Sequence, residues 1–126
     1  MRKLLVIALI LAGMMAVGSA NAALRYRGKA WSSVVGGTQQ DRIVLNPTTD
    51  PSWWAGTIRC HALTPGAACL APVATVAVQF SNGGFYANLG GGVCYAQGSG
   101  SPGTPLSGNY ACVNGDAGTV YFHPVH

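Results

Sequence analysis

Hydrophobic and polar residues alternate over short stretches of this chain, and glycine or proline interrupts the alternation every few residues. A strand points successive side chains to opposite faces, so such stretches predict strands and the interruptions predict turns. From residue 23 onward no long stretch follows the period of a helix. We therefore expect an all-β fold, a small antiparallel sandwich or barrel-like domain of about seven or eight short strands.

The clearest element is a hairpin formed by residues 73–80 and 85–89. Asn82-Gly83 lies between the two stretches, and Asn-Gly favours a type I′ turn because both central residues need positive φ. With the turn centred there, one face carries apolar pairs: Phe80 opposite Phe85, Val78 opposite Ala87 and Val76 opposite Leu89. The other face, which we expect to contact solvent, pairs Gln79 with Tyr86 and Ala77 with Asn88.

A second hairpin is predicted from residues 93–97 and 109–113, which flank the turn-rich residues 98–108. Folding back about Gly103 places Cys94 opposite Cys112. The four cysteines after residue 22 predict two disulfides if the chain is exported, and three connectivities are then possible. We favour the local pairing, Cys94 with Cys112 and Cys60 with Cys69.

The remaining strands are less regular. Residues 24–31 alternate so that Arg25, Arg27 and Lys29 share one side, which predicts a one-sided strand with a basic face. Further strands are expected at residues 42–45, 54–60 and 119–123. Residues 34–40 and 46–52 are interpreted as loops.

The first 22 residues have the three parts of a secretory signal peptide. Arg2 and Lys3 precede the apolar residues 4–17, and Ala20-Asn21-Ala22 supplies the small-x-small pattern before a cut. The segment resembles a bacterial signal peptide and is short for a transmembrane helix. We expect cleavage after Ala22, a single domain over residues 23–126 that does not span a membrane, and a periplasmic or secreted location.

Charge is sparse and unevenly distributed after residue 22. Five Arg and Lys face three Asp and no Glu, and no charged residue occurs from Cys60 to Gly115. A nucleic-acid binder needs clustered Lys and Arg, so this class is not expected. An uncharged half offers neutral sheet for contact with another chain, including a second copy, or with a neutral glycan.

The residue types that catalysis needs are few. Asp41, Asp50 and Asp116 all lie next to turn or loop signals, and a glycosidase would need two carboxylates held close together. No Gly-x-Ser-x-Gly nucleophile motif occurs, and no free thiol is expected. His123 and His126 are interpreted as a polar terminus rather than a metal site. The sequence predicts a non-enzymatic protein with no cofactor.

Aromatic and basic residues are the candidate binding residues. Trp53 and Trp54 are adjacent, so one is expected in the core and one outside, and of the three tryptophans we expect two in the core. Tyr86 lies off the core face of its hairpin. Arg25, Arg27 and Lys29 suit phosphate groups or an acidic partner. The function expected from these residues is an exported β domain that binds a protein or a cell-envelope glycan.

Two alternatives remain open. Tyr110-Ala111-Cys112-Val113-Asn114-Gly115 resembles the Tyr-x-Cys-x-x-Gly stretch of the membrane-bound lysozyme inhibitor family over six residues. That family continues into a barrel after the stretch, whereas this chain ends shortly after it. An inhibitor of a secreted or periplasmic hydrolase such as a lysozyme would present residues 98–108 as a rigid loop beside the bridge. The other alternative is a structural subunit of a surface fibre or coat, favoured by the charge-free, glycine-rich half of the chain and by unguarded strand edges.

Overall fold

The computed structural model describes residues 22–62 and 73–125. The described residues form eight antiparallel strands, each paired with the next in sequence, and β8 pairs with β1 to close a barrel. The strands are β1 (Leu24–Ser32), β2 (Thr38–Pro47), β3 (Trp53–Ala62), β4 (Val73–Ser81), β5 (Gly84–Leu89), β6 (Cys94–Ser99), β7 (Leu106–Cys112) and β8 (Ala117–Pro124). The predicted antiparallel all-β fold is confirmed, and of the two predicted architectures the chain forms the barrel.

The hairpin of β4 and β5 has the predicted register. Its pairs run from Ser81 opposite Gly84 to Val76 opposite Leu89. Asn82 has a φ of 53° and Gly83 a φ of 75°, the positive values that a type I′ turn requires. The Asn-Gly turn and the apolar pattern therefore specify the same register for β4 and β5.

The β6–β7 hairpin is also confirmed, together with its disulfide. Cys94 lies opposite Cys112 and is bonded to it, with 4.0 Å between the two Cα atoms. This is the one disulfide within the described residues. Cys69 lies outside them, so the pairing of Cys60 with Cys69 stays a prediction.

The loop predicted at residues 98–108 is shorter than expected. Pairing extends to Ser99 and Leu106, so only residues 100–105 connect the strands. The connection also lies at the far end of the hairpin from the Cys94–Cys112 disulfide, not beside it. Gly98 and Gly108 pair across the hairpin, which local turn propensity does not predict.

Loops were also predicted too long around β2. Residues 38–40 and 46–47 belong to the strand. They pair with β1 on one side and with β3 on the other, and hydrogen bonding on both sides outweighs the weak strand propensity of Gln, Asn and Pro.

The barrel has two distinct ends. Residues 33–37, 90–93 and 113–116 connect strands at one end, here called the upper end. Residues 48–52, 82–83 and 100–105 connect them at the other, the lower end. The Tyr26 hydroxyl accepts a 2.9 Å hydrogen bond from the Gly103 amide and lies 3.5 Å from the Ser101 carbonyl oxygen, which fastens the 100–105 connection to the lower end.

Side chains alternate between the interior and the outer surface along each strand. In β1 the buried positions are Tyr26, Gly28, Ala30 and Ser32, and the residues between them are exposed. The largest apolar side chains that are almost fully buried are Tyr26 and Leu45. No helix in the described ranges is long and apolar enough to cross a membrane.

Candidate functional site

The outer surface of β1, β2 and β3 carries every Arg and Lys of the described residues. Arg25, Arg27 and Lys29 project from β1 as predicted. Arg42 of β2 and Arg59 of β3 are exposed beside them. We call these five residues the basic face.

Three of the arginines lie in one row across the strands. Arg27 pairs with Arg42, and Arg42 pairs with Arg59. On the other side of β1, Arg27 pairs with His123 of β8, which extends the row. Sequence reasoning missed Arg42 and Arg59 because only the register between strands brings them beside Arg27.

None of the three carboxylates of the described residues belongs to the basic face. Asp50 is in the β2–β3 connection, where its Oδ1 accepts hydrogen bonds from the Ser52 amide at 2.9 Å and the Ser52 hydroxyl at 2.8 Å. These two bonds hold the pKa of Asp50 below its ordinary value. The carboxylate therefore organises its own turn and does not neutralise the basic face.

Asp116 joins three strands at the upper end. Its Oδ1 accepts a 2.6 Å hydrogen bond from the Ser32 hydroxyl, and its Oδ2 accepts one from the Tyr110 hydroxyl at 3.1 Å. Ser32 ends β1, Tyr110 lies in β7 and Asp116 immediately precedes β8. The carboxylate therefore links β1 and β7 across the start of β8, where the barrel closes.

The opposite side of the barrel has an uncharged, aromatic surface. The rings of Tyr86 and Tyr95 stack with 5.9 Å between their centroids. Gln79, Gln97 and Asn109 lie near them around a shallow depression. We call these five residues the aromatic face. The predicted solvent contact of the neighbouring Asn88 is wrong for its Oδ1 atom, which is buried and has no hydrogen-bond partner in the described part of the chain.

The tryptophans are more exposed than predicted. Trp54 packs against the core, and Trp53 lies on the outer surface opposite Gln79, as their adjacency requires. Trp31 is 46% exposed on the outside of β1. Only one of the three is thus a core residue, because the inward positions of β1 are those of Tyr26 and Ala30.

The interpretation of Asp41 as a loop residue is wrong. Asp41 lies in β2 and points into the barrel, where it is 1% exposed and no described residue bonds to its Oδ1. Burial raises the pKa of Asp41 to about 7, against the lowering effect of a hydrogen bond from the Gln39 side chain. It lines a cavity of about 460 Å³ within the barrel.

The described residues contain no cluster of three or more His, Cys, Asp or Glu side chains placed to hold a metal ion. His123 lies on the outer surface beside Tyr121, with 6.4 Å between ring centroids, and His126 is outside the described residues. Comparison of the chain with protein-family models, with curated proteins and with solved structures found no match. The basic face, the aromatic face and the barrel interior are therefore the features that bear on function.

Proposed function

We propose that the protein is an exported, non-enzymatic binding domain whose basic face engages an anionic cell-envelope glycan. The observation that carries the proposal is the row of Arg27, Arg42 and Arg59. Like charges placed directly opposite one another destabilise a sheet, by roughly 0.2–1 kcal/mol per pair. An anion that bridges neighbouring strands would turn this repulsion into attraction.

The geometry suits a partner with closely spaced anionic groups. Neighbouring strands lie about 4.8 Å apart, so the three guanidinium groups sample roughly 10 Å across the sheet. Guanidinium groups bind phosphate and carboxylate in a bidentate manner. Arg25 and Lys29 extend the positive surface along β1, in keeping with a repeating glycan rather than one small ion.

Export supports the choice of an envelope partner. The signal-peptide pattern of residues 1–22 and the Cys94–Cys112 disulfide are both typical of a protein that works in the periplasm or outside the cell. Anionic partners of that compartment include phosphorylated and carboxylated glycans.

The test compares two matched variants of the oxidised, exported protein. Arg27→Gln/Arg42→Gln/Arg59→Gln removes the row, and Tyr86→Ala/Tyr95→Ala alters the aromatic face instead. Binding to dextran sulfate and to neutral dextran is measured by biolayer interferometry over a range of salt concentrations. We expect the wild type to bind dextran sulfate in a salt-sensitive manner and the triple variant to lose at least about tenfold in affinity.

The triple variant should be at least as stable as the wild type, because it relieves repulsion and removes no buried contact. The tyrosine variant should keep its affinity for dextran sulfate. Undiminished binding by the triple variant would contradict the proposal, and so would equal affinity of the wild type for duplex DNA of matched charge.

A second candidate function is favoured by the stacked Tyr86–Tyr95 pair. Exposed tyrosine rings pack against sugar rings, and the nearby amides of Gln79 and Gln97 can bond to hydroxyl groups. This face would bind a neutral glycan or a protein, as the uncharged half of the chain predicts. Retention on neutral dextran that disappears in Tyr86→Ala/Tyr95→Ala would support this candidate.

One argument for the fibre-subunit alternative, the presence of unguarded strand edges, does not hold for the described strands. Every described strand is paired on both sides, so no free strand edge is available for pairing with another copy. Self-association, if it occurs, would have to use an outer face such as the aromatic face.

A further inference from the structure

The interior of the barrel is not filled by the side chains of the described residues. Many inward positions carry small residues, among them Ala30, Ala87 and Ala96. They leave the cavity of about 460 Å³ described above. Eight-stranded barrels either fill with side chains or enclose one small ligand, and a cavity of this size falls in the range of ligand sites.

The polar groups of this cavity gather towards one part of it. Gln39, Asp41, Tyr110 and Asp116 line the part nearer the upper end, whereas the rest is formed by aliphatic and aromatic side chains such as Leu45, Phe85 and Phe122. A ligand that matches this lining has an apolar body and one polar head.

The charged groups that line the cavity determine whether a cationic or an anionic head group would bind there. Two carboxyl groups line it, and every described Arg and Lys lies on the outer basic face. Across the neighbouring strands Asp41 faces Gly28 and Cys60, and the other titratable groups among the described residues that line the cavity are Tyr110 and Asp116. The Tyr26 hydroxyl is bonded to the 100–105 connection at the lower end.

The two carboxyl groups differ in what they can still bind. Asp116 already accepts hydrogen bonds from Ser32, Tyr110 and the Ala117 amide. Asp41 is 1% exposed, yet one of its oxygen atoms has no hydrogen-bond partner among the described residues. Buried polar atoms of folded proteins nearly always have a hydrogen-bond partner, so this oxygen marks where a ligand group belongs.

We propose that the barrel interior binds a hydrophobic amine, with its ammonium group at the Asp41 carboxylate and its apolar body among the core side chains. An ammonium group donates hydrogen bonds to the unpartnered oxygen and supplies the positive charge that the cavity lacks. Burial, its bond to Asp116 and the charges of Asp116 and Asp41 raise the pKa of Tyr110 to about 12.

The proposal is tested with three probes of equal chain length: n-octylamine, 1-octanol and sodium octanoate. The full 126-residue chain is expressed with export, and the oxidised product is purified and titrated with each probe by calorimetry. We expect n-octylamine to bind at one molecule per chain and about tenfold or more tightly than 1-octanol, with octanoate weakest. The affinity for n-octylamine should fall below pH 7 as Asp41 gains a proton, while that for 1-octanol should not change.

Two variants locate the site. Asp41→Asn keeps the shape of the side chain, removes the charge and should bring n-octylamine down to the affinity of 1-octanol. Asp50→Asn removes a carboxylate at the lower end and should leave the preference intact. Equal binding of the amine and the alcohol by the wild type would overturn the proposal. A preference for the amine that survives in Asp41→Asn would overturn it as well.

Discussion

At the scale of the residue, Asp41 has the largest consequence for the molecule. A carboxylate buried without a full set of hydrogen bonds stays in the interior at a cost to stability. The cost depends on pH, because a protonated carboxyl is far easier to bury than a charged one. The protein without a ligand should therefore be more stable in mild acid than at neutral pH, as far as this residue decides it.

The Asp41→Asn variant measures that cost. Well below pH 4 the Asp41 carboxyl is protonated in the folded and the unfolded chain, so the wild type and the variant should be similarly stable there. Between pH 4 and pH 7 the unfolded chain loses the proton and the folded chain keeps it, so the wild type becomes less stable. Above pH 7 the variant should be more stable by an amount on the order of 4 kcal/mol, since the pKa lies near 7 instead of 3.8.

Urea denaturation of both proteins at pH 4 to 8 checks this prediction. Asp50 and Asp116 are present in both, so the difference between the two stability curves isolates Asp41. Curves that stay parallel over the whole range would show that the carboxyl does not titrate with folding.

Residue-level reasoning from the sequence succeeded where a side chain follows the pattern of its strand. Alternation predicted the outward placement of Arg25, Arg27 and Lys29. It failed for Asp41, because a charged residue at an inward position breaks the rule that polar residues face solvent. Such exceptions concentrate at functional sites, where stability gives way to binding.

At the scale of the element, the β6–β7 hairpin depends on close approach of its strands. Gly98 and Gly108 lie opposite each other. A Cβ atom on Gly98 would overlap the Ser107 carbonyl oxygen, and one on Gly108 would overlap that of Gln97. Glycine in a strand interior often marks such an approach of another backbone.

Substitution of these glycines tests the packing of the hairpin. We expect Gly98→Ala to destabilise the protein by about 2 kcal/mol or more, since backbone atoms must move. Gly84→Ala is the matched control in a neighbouring strand, where the nearest atom to an added Cβ is 3.1 Å away, and it should cost about 1 kcal/mol or less. Equal losses in thermal denaturation would refute the close-approach explanation.

The two hairpins were predictable because residues that are close together in sequence specify their turns and registers. Asn82-Gly83 determines a turn, and the turn determines the register of β4 and β5. The extent of β2 was not predictable in this way, since its polar residues become a strand only through partners on β1 and β3.

At the scale of the whole molecule, closure of the barrel depends on one long-range pairing. Seven of the eight strand pairs in the described residues join neighbours in sequence, and only β1 with β8 joins distant parts of the chain. The sequence predicted the number of strands but left sandwich and barrel open, because no local signal specifies that last pairing. The hydrogen bonds from Ser32 and Tyr110 to Asp116 reinforce it at the upper end.

Ser32→Ala should weaken this closure. The variant loses a 2.6 Å bond to a carboxylate, and such bonds contribute roughly 1.5–3 kcal/mol. Ser33→Ala is the adjacent control, because the exposed Ser33 hydroxyl donates only to the Ala117 carbonyl and should matter by about 0.5 kcal/mol or less. Hydrogen exchange measured by NMR should show faster opening of β1 and β8 in Ser32→Ala alone. Unchanged exchange there would argue against a role for Asp116 in closure.

The same pairing has a consequence for how the molecule can be attached. β1 begins and β8 ends at the lower end, where the Val125 amide donates a hydrogen bond to the Arg25 carbonyl oxygen at 2.9 Å, so the start of β1 and the end of β8 lie side by side. A linker, label or solid support joined next to the start of β1 or the end of β8 would therefore attach at the lower end of the barrel. Asp116 and the polar part of the cavity would then face away from the point of attachment, available to whatever approaches from solution.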